Sequence, residues 1–140
     1  MRTCVFLRVG VAAGALAVLT AGAVALQNAQ REGVLSAFFK SLEGRTEEQL
    51  HNIRLAARRV DGALVLPQQE FSMAAALGPS SADRGWRKAG AFVAGEVEQA
   101  VAGGVCPVSS TLFNAILLAG VAVKEGHAHS RSVAGGPTGW

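Results

Sequence analysis

Behind a short basic start, the chain runs for 18 consecutive residues without a charge, from Val9 to Leu26 (VGVAAGALAVLTAGAVAL). Arg2 and Arg8 precede that run, and no acidic residue does. A basic start followed by an apolar segment is the pattern of an export signal or a signal anchor, which sets residues 1–26 apart as a leader. A helix needs ~20 residues to cross a bilayer core, so the run is just long enough to span one. Ala21/Ala23 and Ala23/Ala25 also satisfy the small-x-small rule for cleavage, so removal and retention are both open. A buried core helix is the competing reading, and an uninterrupted N-terminal run behind arginines argues against it. Cys4 precedes the run, so it is not placed for lipidation. The arginines stay on the cytoplasmic side, and everything after Leu26 faces outward. The expected location is the cell membrane, held through residues 9–26 with the domain outside, or a secreted form if the leader is cut.

Composition narrows the classes open to the rest of the chain. Of 140 residues, 50% are apolar and 16% charged, which excludes a disordered tail or an acidic solvating segment. A formal charge of +3 falls to +1 without Arg2 and Arg8, too weak a basic balance to imply nucleic acid. Two cysteines exclude a disulfide-dense mini-protein. With Cys4 in the leader, Cys106 is the one thiol of the exported part. Residues 27–45 read as a helical stalk or linker and residues 46–140 as one domain.

Within the stalk, Gln27 to Gly44 carries Val34, Leu35, Phe38, Phe39 and Leu42 at helical spacing, and Gly44 is a stop. Thr46 with Gln49 three residues later forms a capping box for the next helix, with Glu47 and Glu48 at its positive end. Leu50, Ile53, Ala57 and Val60 make its apolar stripe, and Arg54 and Arg58 a solvated face, with an anionic contact as the sharper reading. Asp61-Gly62 signals a turn, Ala63 to Leu66 a short buried strand, and Gly78 to Ser81 a loop. Trp86, beside Arg87 and Lys88, reads as a half-buried anchor or a ligand-stacking platform. Ala91 to Ala94 and Val97 to Val101, about Gly95-Glu96, read as a hairpin.

The segment from Ala102 to Asn114 is the most informative. Pro107 is favoured at the first position of a helix, which puts Cys106 at the N-cap. Val108, Leu112, Ala115, Ile116 and Ala119 form a stripe that Phe113, Leu117 and Leu118 widen, so this helix is expected to be central and buried. Gly120 ends it, and Val121 to Glu125 reads as a strand. A thiol at a helix start meets the positive end of the dipole and free N–H groups, which favour thiolate. Gly103 and Gly104 let backbone or substrate approach the sulfur. His127 and His129 alternate, so on an extended segment they share a face. A helix-start thiol with a neighbouring histidine is the layout of cysteine nucleophile sites. The competing reading is a small buried hydrophobe beside a tight turn. Two histidines and a thiol on a short segment are an incomplete metal set, so no metal and no organic cofactor are expected.

Three stretches together resemble the VanW-like family, over residues His51 to about Val133. His51-Asn52-Ile53-Arg54-Leu55-Ala56-Ala57 resembles its opening helix. Phe71-Ser72 with Leu77-Gly78-Pro79 resembles a second segment. Gly103-Gly104-Val105-Cys106 with Val108 to Ala115, followed by His127-x-His129-Ser130-Arg131, resembles its signature. The resemblance implies an exported protein of the cell envelope, linked to vancomycin-resistance gene clusters and to modules of the cell wall. Two departures stand out. Pro107 replaces the glutamine that the family usually has after the cysteine, which removes a donor. Ser132 replaces a proline, and the Gly-x-Asp-Ala-Thr strand usual beyond it is not found, so the acid that would orient a histidine is missing.

The expected fold is α+β, a buried central helix on a small, mostly antiparallel sheet, preceded by an N-terminal membrane or signal helix. Two functions from different classes are open to it. In one, Cys106 is an acyl-accepting nucleophile on a peptide of peptidoglycan or its precursors, with His127 or His129 as base. In the other, a non-catalytic wall-binding or scaffold domain offers Trp86, Arg87, Lys88 and the glycine loop to a wall polymer. Gly103, Gly104, Ser109, Ser110, Asn114, Trp86 and Arg131 are the candidate substrate-binding residues.

Overall fold

The computed structural model describes residues 5–6, 33–93 and 96–127. Its elements run β1 (Val5–Phe6), α1 (Glu47–Val60), β2 (Leu64–Val65), α2 (Met73–Leu77), a 3-10 turn (Ala82–Arg84), β3 (Lys88–Val93), β4 (Glu96–Val101) and α3 (Cys106–Leu118). The strands form two antiparallel pairs, β1 with β2 and β3 with β4. The fold is α+β with small antiparallel sheets. The leader run 9–26 lies outside the described residues, among which no helix is long and apolar enough to cross a membrane.

The central helix is α1, not α3. Its start is the expected capping box: Thr46 Oγ1 accepts from the Gln49 amide at 3.3 Å, and Gln49 Oε1 accepts from the Thr46 amide at 3.1 Å. Together they satisfy two donors that a helix start leaves orphaned. Glu48, in the first turn, bonds its own backbone and the Thr46 hydroxyl, which hold its carboxyl below the usual range. Four apolar residues of the helix, Ile53, Ala56, Ala57 and Val60, are buried. Trp86 and Val108 join Ile53, Ala56 and Val60 in the core cluster, with Leu42, Leu55, Phe71, Leu77, Val101 and Val105 packed on it. Arg54 and Arg58 point to solvent, as the periodicity predicts.

By contrast, α3 buries only Pro107, Val108 and Leu112, and leaves Leu117 and Leu118 exposed. A helix that is apolar all round need not be covered all round, since spacing alone cannot say how many neighbours it has. Its end is as expected: the Gly120 amide donates to Leu117 O at 3.0 Å and the Val121 amide to Ile116 O at 3.1 Å, a Schellman pair.

Three other expectations are corrected. Residues 33–45 carry no helix; they lie along α3, with Ser36 Oγ donating to Ala115 O at 2.5 Å and Lys40 Nζ to Ser110 Oγ at 3.3 Å. Tertiary bonds outweigh a weak local propensity there. The strand of Ala63 to Leu66 shrinks to Leu64–Val65, and Leu64 and Leu66 are exposed, because among the described residues only β1 pairs with it and nothing covers it. Val121 to Glu125 is irregular and exposed, with no strand beside it among the described residues to complete a ladder.

The hairpin is as the sequence predicts, but longer. β3 begins at Lys88, and the register runs from Lys88↔Val101 to Val93↔Glu96. A fully buried side chain ties it to α1. Asn52 Nδ2 donates to Arg87 O and to Gly103 O, both at 2.9 Å, and Asn52 Oδ1 accepts from the Arg87 amide at 2.9 Å. The amide thus binds the strand entering the hairpin and the loop leaving it.

Asn52→Ala leaves the Arg87 amide and the Gly103 carbonyl without their partner, and is expected to lower unfolding free energy in urea by about 2–4 kcal/mol. Asn52→Asp should cost as much at neutral pH, since a carboxylate cannot donate to two carbonyls; a loss below about 0.5 kcal/mol in both would contradict the assignment. At the helix start, the depressed Glu48 carboxyl adds stability that is present above its unfolded pKa and lost as pH falls through its folded one. Thr46→Ala should therefore cost about 1 kcal/mol near neutrality and flatten the acid limb of the stability profile, read by urea midpoints against pH.

Candidate functional site

Cys106 stands at the start of α3 and is exposed, with a free thiol. It is the first residue of the helix and not its N-cap; Val105 holds that place, in helical geometry and with no side-chain cap bond, and Pro107 is buried behind it. Val105 takes helical angles because the Val108 amide folds back onto its carbonyl at 2.9 Å, which moves the helix start one residue earlier. The buried-hydrophobe reading of Cys106 is thereby removed.

The loop that delivers Cys106 is built against α1 and β3. A Cβ on Gly103 would fall 2.1 Å from Ala89 O, and one on Gly104 would fall 2.8 Å from Gln49 Cγ. Both glycines are explained by close packing of the loop on the frame, not by room for a substrate. Gln49 Nε2 also donates to Gly90 O at 3.0 Å, and the Ala102 amide to Arg87 O at 3.0 Å. Ala102 itself sits in the left-handed region at φ 63°, a strain of roughly 1 kcal/mol that the surrounding bonds hold in place.

The other expected residues separate. Ser109 is exposed on the first turn, its Oγ donating to Cys106 O at 3.0 Å. Ser110 Oγ donates to Pro107 O at 3.3 Å, and Asn114 Nδ2 to Ser110 O at 2.7 Å. These bonds fall within α3. His127 is exposed, and its Nε2 lies 2.7 Å from Glu125 Oε1. An acid does therefore accompany a histidine here, from two residues upstream. Among the described residues no hydrogen bond reaches Cys106 Sγ, so the thiol and the His127 imidazole are not brought together. His129 and Arg131 lie outside the described residues. No group of three His, Cys, Asp or Glu side chains arranged for a metal occurs among the described residues.

Trp86 is not a platform. It is 3% exposed, with Nε1 donating to Pro79 O at 3.1 Å. The Arg59 guanidinium lies 4.6 Å from the ring centroid and donates to Leu77 O and Arg84 O. The cation covers the ring, and the two side chains lock the α2 segment onto α1. Arg87 and Lys88 are exposed beside it.

Sequence reasoning missed Asn52 and Arg59 as organisers of the site. A signal for Asn52 was present: it lies four residues before Ala56 and eight before Val60, on the apolar face, where a lone amide must find partners.

A family model described as "VanW like protein" matches residues 48–140. The chain belongs to the VanW-like family. The match opens within α1 and takes in the hairpin, the glycine loop and α3. Among curated proteins, the "Uncharacterized protein YoaR" of Bacillus subtilis (strain 168) is 40% identical over 89 residues, 64% of this chain. The matched stretch spans 29% of that relative's length. No solved structure matches the chain. In this VanW-like domain Pro107 occupies the second position of α3 and supplies no N–H at the helix start, where the resemblance leads one to expect a glutamine.

Proposed function

We propose that the chain is an exported protein of the cell envelope whose VanW-like domain binds peptidoglycan or its precursors without catalysing acyl transfer. The observation that carries this reading is the exposed Cys106 on a rigidly held helix start, with no imidazole of the described residues bonded to its sulfur. A cysteine nucleophile needs a base within hydrogen-bond reach, and His127 is engaged with Glu125 instead. Pro107 removes one of the amides that would otherwise face a developing oxyanion. The contact surface in this reading is Arg87 and Lys88 with Ser109, all exposed and joined through the loop that Asn52 holds. Membrane attachment through residues 9–26, or secretion after cleavage, and a part in glycopeptide resistance belong to the same proposal. Export in either form separates β1 from β2. Cleavage removes Val5–Phe6, and a spanning leader leaves them across the bilayer from Leu64–Val65. The exported unit then rests on α1, the β3–β4 hairpin and α3.

Acyl transfer remains the second reading, favoured by the His127–Glu125 pair on the segment after α3. Sedimentation with isolated peptidoglycan and thiol alkylation separate the two. The binding reading expects co-sedimentation that survives Cys106→Ala and weakens with Arg87→Ala/Lys88→Ala, and alkylation of Cys106 no faster than free cysteine. Loss of binding in Cys106→Ala, or alkylation about tenfold faster than free cysteine with a pH profile that His127→Gln abolishes, would replace it with the catalytic one.

A further inference from the structure

We propose that the outer edge of β4 is a docking edge for an extended, cationic peptide segment, added as a third strand to the β3–β4 hairpin. The backbone pattern identifies the open groups. The Ala102 amide donates to Arg87 O, and the register keeps that phase along the ladder, so the hydrogen-bonded pairs are Ala89↔Ala100, Ala91↔Glu98 and Val93↔Glu96. The N–H and C=O groups of Val97 and Gln99 therefore point away from β3. Nothing among the described residues bonds them.

On the opposite edge of the hairpin, Gln49 of α1 takes the outward carbonyl of Gly90. Along the β4 edge no such contact from α1 occurs among the described residues. A bare edge is a template for strand pairing unless its side chains repel the newcomer.

Side chains select the newcomer. Glu96 and Glu98 are exposed, lie on one face of β4, and have no ion pair among the described residues. Val97, on the other face, is 68% exposed. A second copy of β4 is a poor partner: antiparallel registers centred on Val97 or Glu98 set glutamate opposite glutamate, which destabilises a pair. An extended segment with Lys or Arg at alternate positions instead sets a cation against each carboxylate and an apolar residue against Val97. This surface is distinct from the Arg87, Lys88 and Ser109 surface, and does not depend on it.

The test uses the full chain and a synthetic peptide, acetyl-Thr-Lys-Val-Lys-Thr-Val-amide, read by amide hydrogen exchange and by fluorescence anisotropy of the labelled peptide. Binding should slow exchange at Val97 and Gln99. It should fall roughly tenfold in Glu96→Gln/Glu98→Gln, whose exposed substitutions leave the fold intact by circular dichroism. Methylating the peptide's backbone nitrogens should abolish binding while its charge is kept. Equal binding by the methylated peptide would reduce the edge to a charge contact and overturn the proposal. Absence of binding, or protection of Val97 and Gln99 that grows with protein concentration alone, would overturn it too.

Discussion

The folded domain depends on one buried amide. Asn52 is fully enclosed, and burying an amide without partners costs roughly 1–3 kcal/mol, so the side chain must be satisfied where it lies. It is satisfied by three backbone bonds reaching residues 35 and 51 positions away in the chain. Those bonds join helix, hairpin and loop, three pieces that bury little surface on their own. A two-stranded hairpin is at best marginally stable in water without packing, and α1 supplies that packing. Gln49 repeats the arrangement one turn earlier, capping its own helix with Oε1 and holding Gly90 with Nε2.

This frame explains why the glycine loop looks like a catalytic loop and is built for another task. Gly103 and Gly104 lie where side chains would strike Ala89 and Gln49, so their small size is used up by packing. What the packing achieves is position: Val105 is pressed against the core, and Cys106, one residue on, faces solvent at the helix start. A rigid presentation of an exposed side chain serves binding as well as it serves chemistry. Chemistry would need a second group at the sulfur, and the nearest histidine in sequence among the described residues is held by Glu125.

Much of the frame was legible in the sequence. Thr46 and Gln49 announced the start of α1 because a capping box is a local interaction, and the hairpin was readable because its strands alternate around a short connection. The family signature was legible for a related reason, since its unusual residues are contiguous. Long-range facts were not. The spacing of Val34, Leu35 and Phe38 satisfies a helix, yet Ser36 and Lys40 bond to α3 instead. Trp86 beside Arg87 and Lys88 resembles an exposed platform until Arg59, 27 positions upstream, is found covering its ring. The burial of α3 was overestimated because hydropathy reports what a helix can bury, not what the chain brings to it.

Hydrogen exchange at the Arg87 amide tests the central role of Asn52 most directly. That amide is bonded to Asn52 Oδ1 and to no other group among the described residues, so its protection reports the clamp itself. If the clamp unites helix and hairpin, the amide exchanges only when the whole domain unfolds, as slowly as the Ala56 and Val60 amides in α1. Exchange as rapid as at the open Val97 amide, while α1 stays protected, would contradict the account and leave the hairpin an independent appendage.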